Sequence, residues 1–170
     1  MGHNGGTTDA RGGAMKRILL IAAVAAGLSV PSAAFADSGG RFGLGIAVGD
    51  PSAGLTAQYK LDGPGKGSAL NFMLGLELID DSDVYFHVDY IVKLGVLHRG
   101  SSVTIPFYAG LGGYFADRGN DTFGVRAPFG LQFDFRTAPI HLFAELALFL
   151  RLVDDVDLNV GGLIGFRYFF

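Results

Sequence analysis

Hydrophobic and polar residues alternate with period two through most of the chain beyond residue 40, and the alternation stops and restarts to give eight segments. Such alternation marks β-strands whose two faces meet unlike surroundings. The segments run over 41–49, 54–61, 69–79, 84–97, 102–115, 123–136, 140–150 and 157–170. Between them stand clusters with turn chemistry, among them Asp50-Pro51-Ser52, Asp62-Gly63-Pro64-Gly65, Asp80-Asp81-Ser82-Asp83, Arg99-Gly100-Ser101, Arg118-Gly119-Asn120-Asp121, Thr137-Ala138-Pro139 and Asp154-Asp155. The pattern predicts an all-β domain of consecutive antiparallel hairpins.

The two faces of these segments differ in kind. In the sixth, Phe123, Val125, Ala127, Phe129, Leu131, Phe133 and Phe135 oppose Gly124, Arg126, Pro128, Gly130, Gln132 and Asp134. In the fourth, Val84, Phe86, Val88, Tyr90, Val92, Leu94 and Val96 oppose Tyr85, His87, Asp89, Ile91, Lys93 and Gly95. Across all eight segments the apolar face carries no charged residue. The other face reads as small, polar and Gly-rich, with charges at Lys60, Glu77, Asp89, Lys93, Arg126, Asp134, Glu145 and Arg167. Four acids thus meet four bases.

A water-soluble sandwich or carrier barrel hides its apolar face and shows a charged one. Here the charged face is too sparse and too evenly balanced for a water-exposed surface. It suits a narrow interior, where an unpaired charge is costly and charges must pair. The opposite face, of Phe, Leu and Val, suits lipid. Backbone groups in lipid need internal partners, which forces the sheet to close on itself. The expected fold is therefore an eight-stranded antiparallel up-and-down transmembrane β-barrel with a lumen filled by side chains. Arg126, Glu77 and Glu145, mid-strand on the inward face, are the expected central charge pairs. Pro106 and Pro128 fall inside strands, so a bulge or a missing ladder bond is expected at each.

Composition changes the picture in three places. The absence of cysteine among 170 residues excludes disulfide scaffolds and thiolate metal sites. A formal net charge of −3 without a basic stretch argues against nucleic-acid binding. Upstream, Lys16 and Arg17 precede an apolar run from Ile18 to Leu28, then Pro31, Ser32 and Ala34-Phe35-Ala36. This is the order of a helical secretory signal peptide, too short to span a bilayer. The expected organisation is an extension over 1–14, a signal peptide over 15–36 cleaved after Ala36, and a barrel domain over 37–170. With both barrel termini in the periplasm, Asp50, Asp80, Asp81, Asp83, Asp117, Asp121, Asp154, Asp155 and Asp157 lie in external loops. Lys66, His98, Arg99 and Arg136, with Asp62, then lie in periplasmic turns.

The ending Gly165-Phe-Arg-Tyr-Phe-Phe170, with Ile164, Phe166, Tyr168 and Phe170 alternating, resembles the terminal strand of the small eight-stranded outer-membrane β-barrels of Gram-negative bacteria. The stretches Phe42–Ile46, His87–Tyr90, Phe107–Gly113 and Gly124–Gly130 resemble a subset of those barrels with no established activity. The resemblance implies outer-membrane location, and makes that terminal strand the signal read by the barrel-assembly machinery. It also implies a monomer surrounded by membrane lipid and lipopolysaccharide.

Few residues suggest further chemistry. His87 and His141 point inward by parity and fit hydrogen-bonded lumen histidines, with a pH-sensitive gate as the sharper alternative. The Asp clusters at 80–83 and 154–157 lack the spacing of a calcium loop and read as solvated acidic loops. Ser38, Ser52, Ser68, Ser82, Ser101 and Ser102 sit in turns or at strand ends, away from the histidines, so no Ser–His–acid constellation is expected. Gly43-Leu-Gly45 and Gly110–Gly113 lack the following helix of a phosphate loop. No catalytic residue, metal or cofactor is expected. The expected function is structural or surface-interacting, the alternatives being a narrow pore for ions or small solutes and a soluble lipocalin-like carrier.

Overall fold

A computed structural model describes residues 40–61, 67–76, 84–117, 121–152 and 156–170. The domain is an all-β, closed, eight-stranded antiparallel barrel in which each strand pairs with its sequence neighbours and β1 pairs with β8. The strands are β1 (Phe42–Asp50), β2 (Gly54–Lys60), β3 (Ser68–Leu76), β4 (Val84–Arg99), β5 (Val103–Asp117), β6 (Asp121–Phe135), β7 (Ile140–Arg151) and β8 (Asp157–Phe169). All eight predicted segments are strands. The third is described as far as Leu76, and 77–79 lie outside the described residues, as do 1–39 with the expected signal peptide.

Closure is staggered. A register line leaving β1 at Asp50 crosses Gly162, Leu146, Phe129, Ala109, Val92 and Ser68. It then returns through Leu61 beside Arg41, at the opposite end of β1. Such stagger means strands tilted against the barrel axis, which brings the two faces of the alternation to a true inside and outside. The start of β1, the end of β8 and the β2–β3, β4–β5 and β6–β7 turns share one end, the terminus end. The other four turns share the far end.

The two prolines interrupt the β5–β6 ladder. Pairing stops after Thr104–Asp134 and resumes at Phe107–Leu131, which leaves out Pro106. It stops again between Ala109–Phe129 and Gly112–Arg126, which leaves out Pro128. Pro128 keeps its register with Ala147 on β7, and Pro106 with Val96 on β4. Proline has no N–H to give the ladder, so the wall tolerates each on one side only. Next to Pro106, β4 carries two irregularities, between Lys93 and Gly95 and between Val96 and His98. The first corrects the sequence parity. Gly95 registers with Phe107, and Val96, still 37% exposed, registers with buried Pro106. An extra residue in one strand swaps the faces of those that follow. The second irregularity restores the parity by Arg99.

Outside, large apolar side chains stand exposed, among them Leu146 at 64%, Phe123 at 53% and Phe129 at 52%. Inside, the sequence reading of a small, polar face is incomplete. Toward the far end the lumen holds an apolar cluster that includes Met73, Tyr85, Phe149 and Leu163, with Tyr114 packed against it. The core of this protein is the lumen itself.

Candidate functional site

The lumen is bridged by pairs of side chains that reach over a glycine on the strand between them. Asp89 on β4 and Arg126 on β6 both register with Gly112 on β5. Tyr108 on β5 and Glu145 on β7 both register with Gly130 on β6. Thr56 on β2 and Arg167 on β8 both register with Gly45 on β1. Each pair is hydrogen-bonded. A Cβ on Gly112 would strike the Asp89 carboxylate and the Val88 carbonyl, and one on Gly130 would strike the Tyr108 ring. The glycines of these strands therefore leave the passage through which the longer side chains meet.

Arg126 is the centre of the main network. It is 1% exposed, and its Nη1 donates to Asp89 Oδ2 while Nη2 donates to Glu145 Oε1. Tyr108 Oη donates to Glu145 Oε2 at 2.7 Å. Tyr85 Oη lies 2.9 Å from His87 Nδ1, and His87 Nε2 faces Asp89 Oδ2 at 3.5 Å and Arg126 Nη1 at 3.4 Å. The Phe149 ring covers the guanidinium at 5.3 Å. One guanidinium thus holds two carboxylates. In a buried site such pairing offsets desolvation only when the remaining lone pairs are also engaged. Tyr108 does this for Glu145. Asp89 Oδ1 and Arg126 Nε have no partner among the described residues.

Two further groups flank this one. Arg167 donates through Nε and Nη2 to Thr56 Oγ1 at 3.1 and 2.8 Å, lies over the Phe143 ring at 4.0 Å, and is 3% exposed. Thr56 in turn donates to the Phe72 carbonyl, and Gln58 donates to Asn71 Oδ1 at 2.7 Å. Toward the terminus end, Lys93 Nζ pairs with Asp134 Oδ2 at 3.3 Å. There Gln132 Nε2 reaches both Asp134 Oδ1 and His141 Nδ1. Lys60 Nζ lies over the Phe169 ring at 3.8 Å.

The structure thus brings Asp89, Arg126 and Glu145 together with His87, and Lys93 and Asp134 together with His141. Arg167 and Lys60 each sit against an aromatic ring. The expected central partners of Arg126 are Glu77 and Glu145. Asp89 holds the place beside Glu145, and Glu77 lies outside the described residues. Tyr108, Tyr85, Gln132 and Thr56 are network members that charge counting passes over. Their signal in the sequence is inward parity with a polar tip. Of the terminal strand, Ile164 and Phe166 face outward at 61% and 41% exposure, Tyr168 and Phe170 share that face, and Phe42 stacks on Phe170. Among the described residues no three histidine or carboxylate groups converge as a metal ion requires. An open furrow of about 800 Å³ crosses the outer wall over Ala144 and Gly162, between Phe129, Leu146 and Ile164.

An eight-stranded up-and-down barrel, closed and filled by a hydrogen-bonded ion network, is the class that fold and site define. The chain is similar in fold to the crystal structure of the N-terminal β-barrel domain of Pseudomonas aeruginosa OprF, with a TM-score of 0.53. The identity is 17%, and the match covers 76% of this chain and 99% of that one. No protein-family model and no curated protein matches the chain.

Proposed function

We propose that this chain is a small integral outer-membrane β-barrel protein with a structural or surface-interacting role and no catalysis. The observation that carries the reading is the inversion of polarity between the two walls. The outer wall is apolar and uncharged along the strands, whereas Arg126, Asp89, Glu145 and Arg167 are buried inside. Water would favour the reverse, and lipid favours this arrangement. The filled lumen supports a structural role over transport. The Tyr85–Phe149 cluster stands across it toward the far end, and the Arg126 network stands below. The same filling leaves little room for a carried ligand, which weighs against a lipocalin-like role.

In this reading the segment 15–36 exports the chain and is removed after Ala36. The barrel-assembly machinery then reads the strand that ends Ile164, Phe166, Tyr168 and Phe170. The mature domain stands as a monomer among phospholipid and lipopolysaccharide, with its acidic far end outward. The test is to express the chain with its leader in a Gram-negative host, isolate outer membranes and compare unheated with boiled samples on an SDS gel. A heat-dependent band shift in that fraction is expected. A single unshifted band in the soluble periplasm would overturn the assignment. Planar-bilayer recording of the purified protein is expected to give no steady conductance steps, and regular steps would replace the structural role with a narrow pore.

A further inference from the structure

The lumen mouth at the terminus end carries charge that the Arg126 network does not use. Lys60 is only 8% exposed, and the Phe169 ring beneath its ammonium also packs on His141, which lies 3.2 Å from Asp134, the carboxylate that Lys93 meets at 3.3 Å. Arg99, exposed beyond the second irregularity of β4, shares a register row with Thr104 and Asp134 at this end. Asp134 is the one carboxylate side chain facing this mouth among the described residues, and Lys93, Gln132 and His141 already engage it. The terminal residue Phe170 lies at the outer rim against Gly40. Among the described residues, Lys60 and Lys93, with Arg99 further out on β4, thus stand near a single side-chain carboxylate that is already occupied.

We infer that this mouth is a binding site for an oxyanion of the phosphate class, held by Lys60 and Lys93 with Arg99 at the rim. Ammonium groups act as compact point charges with several donors, which suits a tetrahedral oxyanion. The Phe169 ring partly offsets the Lys60 charge from one side and leaves its remaining donors to a ligand. A bound anion would also relieve the repulsion between Lys60 and Lys93. The opening is partly wet, since the Lys93 and Asp134 side chains are 23% and 22% exposed, so an ion can enter from the terminus end. The site belongs to the barrel mouth and does not depend on the membrane assignment. Its phosphate group could come from free inorganic phosphate or from a phospholipid headgroup.

The experiment is an amide NMR titration of the refolded mature chain in dodecyl maltoside, adding inorganic phosphate at fixed ionic strength. A second arm places the protein in nanodiscs with and without phosphatidylglycerol. Saturable shifts at residues 60, 93, 134 and 141 are expected, weakened about tenfold in Lys60→Gln through loss of one charge-assisted bond. Shifts with phosphatidylglycerol alone would assign the same site to a headgroup. Shifts that chloride reproduces, or that survive unchanged in Lys60→Gln, would overturn the site. Lys93→Gln carries the same prediction should Lys60→Gln lose the heat-dependent gel shift of the folded barrel.

Discussion

On β6, Arg126 points into the lumen at 1% exposure, and three residues later Phe129 points out at 52%. The lumen wall and the outer wall are built from the same strands, yet they hold their side chains by different means. Inside, position is set by specific partners: Arg126 needs two carboxylates, and Glu145 needs Arg126 and Tyr108. Outside, no side chain along the strands needs a particular partner, and what matters is only that it is apolar. Adjacent glycines show the contrast most sharply. A Cβ on Gly112 would meet Asp89 and the backbone of β4, whereas one on Gly113, facing out, would have only the Gly124 carbonyl at 3.7 Å. The inner wall is a packed core and tolerates little. The outer wall is a surface whose tolerance depends on its solvent.

The largest expected effect tests the inner wall. Arg126→Leu leaves two buried carboxylates without their cation and should cost about 3–5 kcal/mol in urea unfolding from lipid vesicles. Replacing all three groups, with Arg126→Leu, Asp89→Asn and Glu145→Gln, should recover most of that loss. No recovery would mean that the network does more than balance its own charge. Next comes the outer wall. Leu146→Arg should cost about 2–4 kcal/mol in a bilayer, because a charge near the lipid midplane is expensive. A loss near zero in that assay would mean that the outer wall faces water.

The glycine pair comes third. Gly112→Ala should destabilise by about 1–3 kcal/mol through overpacking. Gly113→Ala should stay within about 0.5 kcal/mol of the parent. Equal losses at the two sites would break the distinction between the walls. The smallest effect is expected at the far rim. Arg151 and Asp157 pair at 3.6 Å while each is more than a third exposed, and Arg151→Gln should cost less than about 1 kcal/mol.

Much of this architecture is legible in the residues. Period-two alternation is local, so strand limits follow to within a residue or two at most ends, and prolines at 106 and 128 announce breaks in the ladder. Partner choice is less legible. It depends on register across three strands, which is why Asp89 takes the place beside Arg126: both look onto Gly112, a relation that no single segment reveals. The apolar cluster is hidden for another reason. Met73, Tyr85, Phe149 and Leu163 lie on the inward face, where a reading drawn to charge and glycine sees only small and polar residues. The β4 irregularities leave no local signature beyond Gly95, so the sequence does not announce that Val96 registers with Pro106.

The central claim is that the apolar wall meets lipid, and the absence of native cysteine allows a direct test. A spin label is placed at Leu146→Cys, and another at Asp157→Cys on the far rim, with the protein in phospholipid vesicles. Collision rates with oxygen and with a polar nickel complex are then compared. The account predicts that the label at 146 meets oxygen and is shielded from nickel, while the label at 157 meets nickel readily. Equal nickel access at both positions would contradict it, because the outer wall would then be in water.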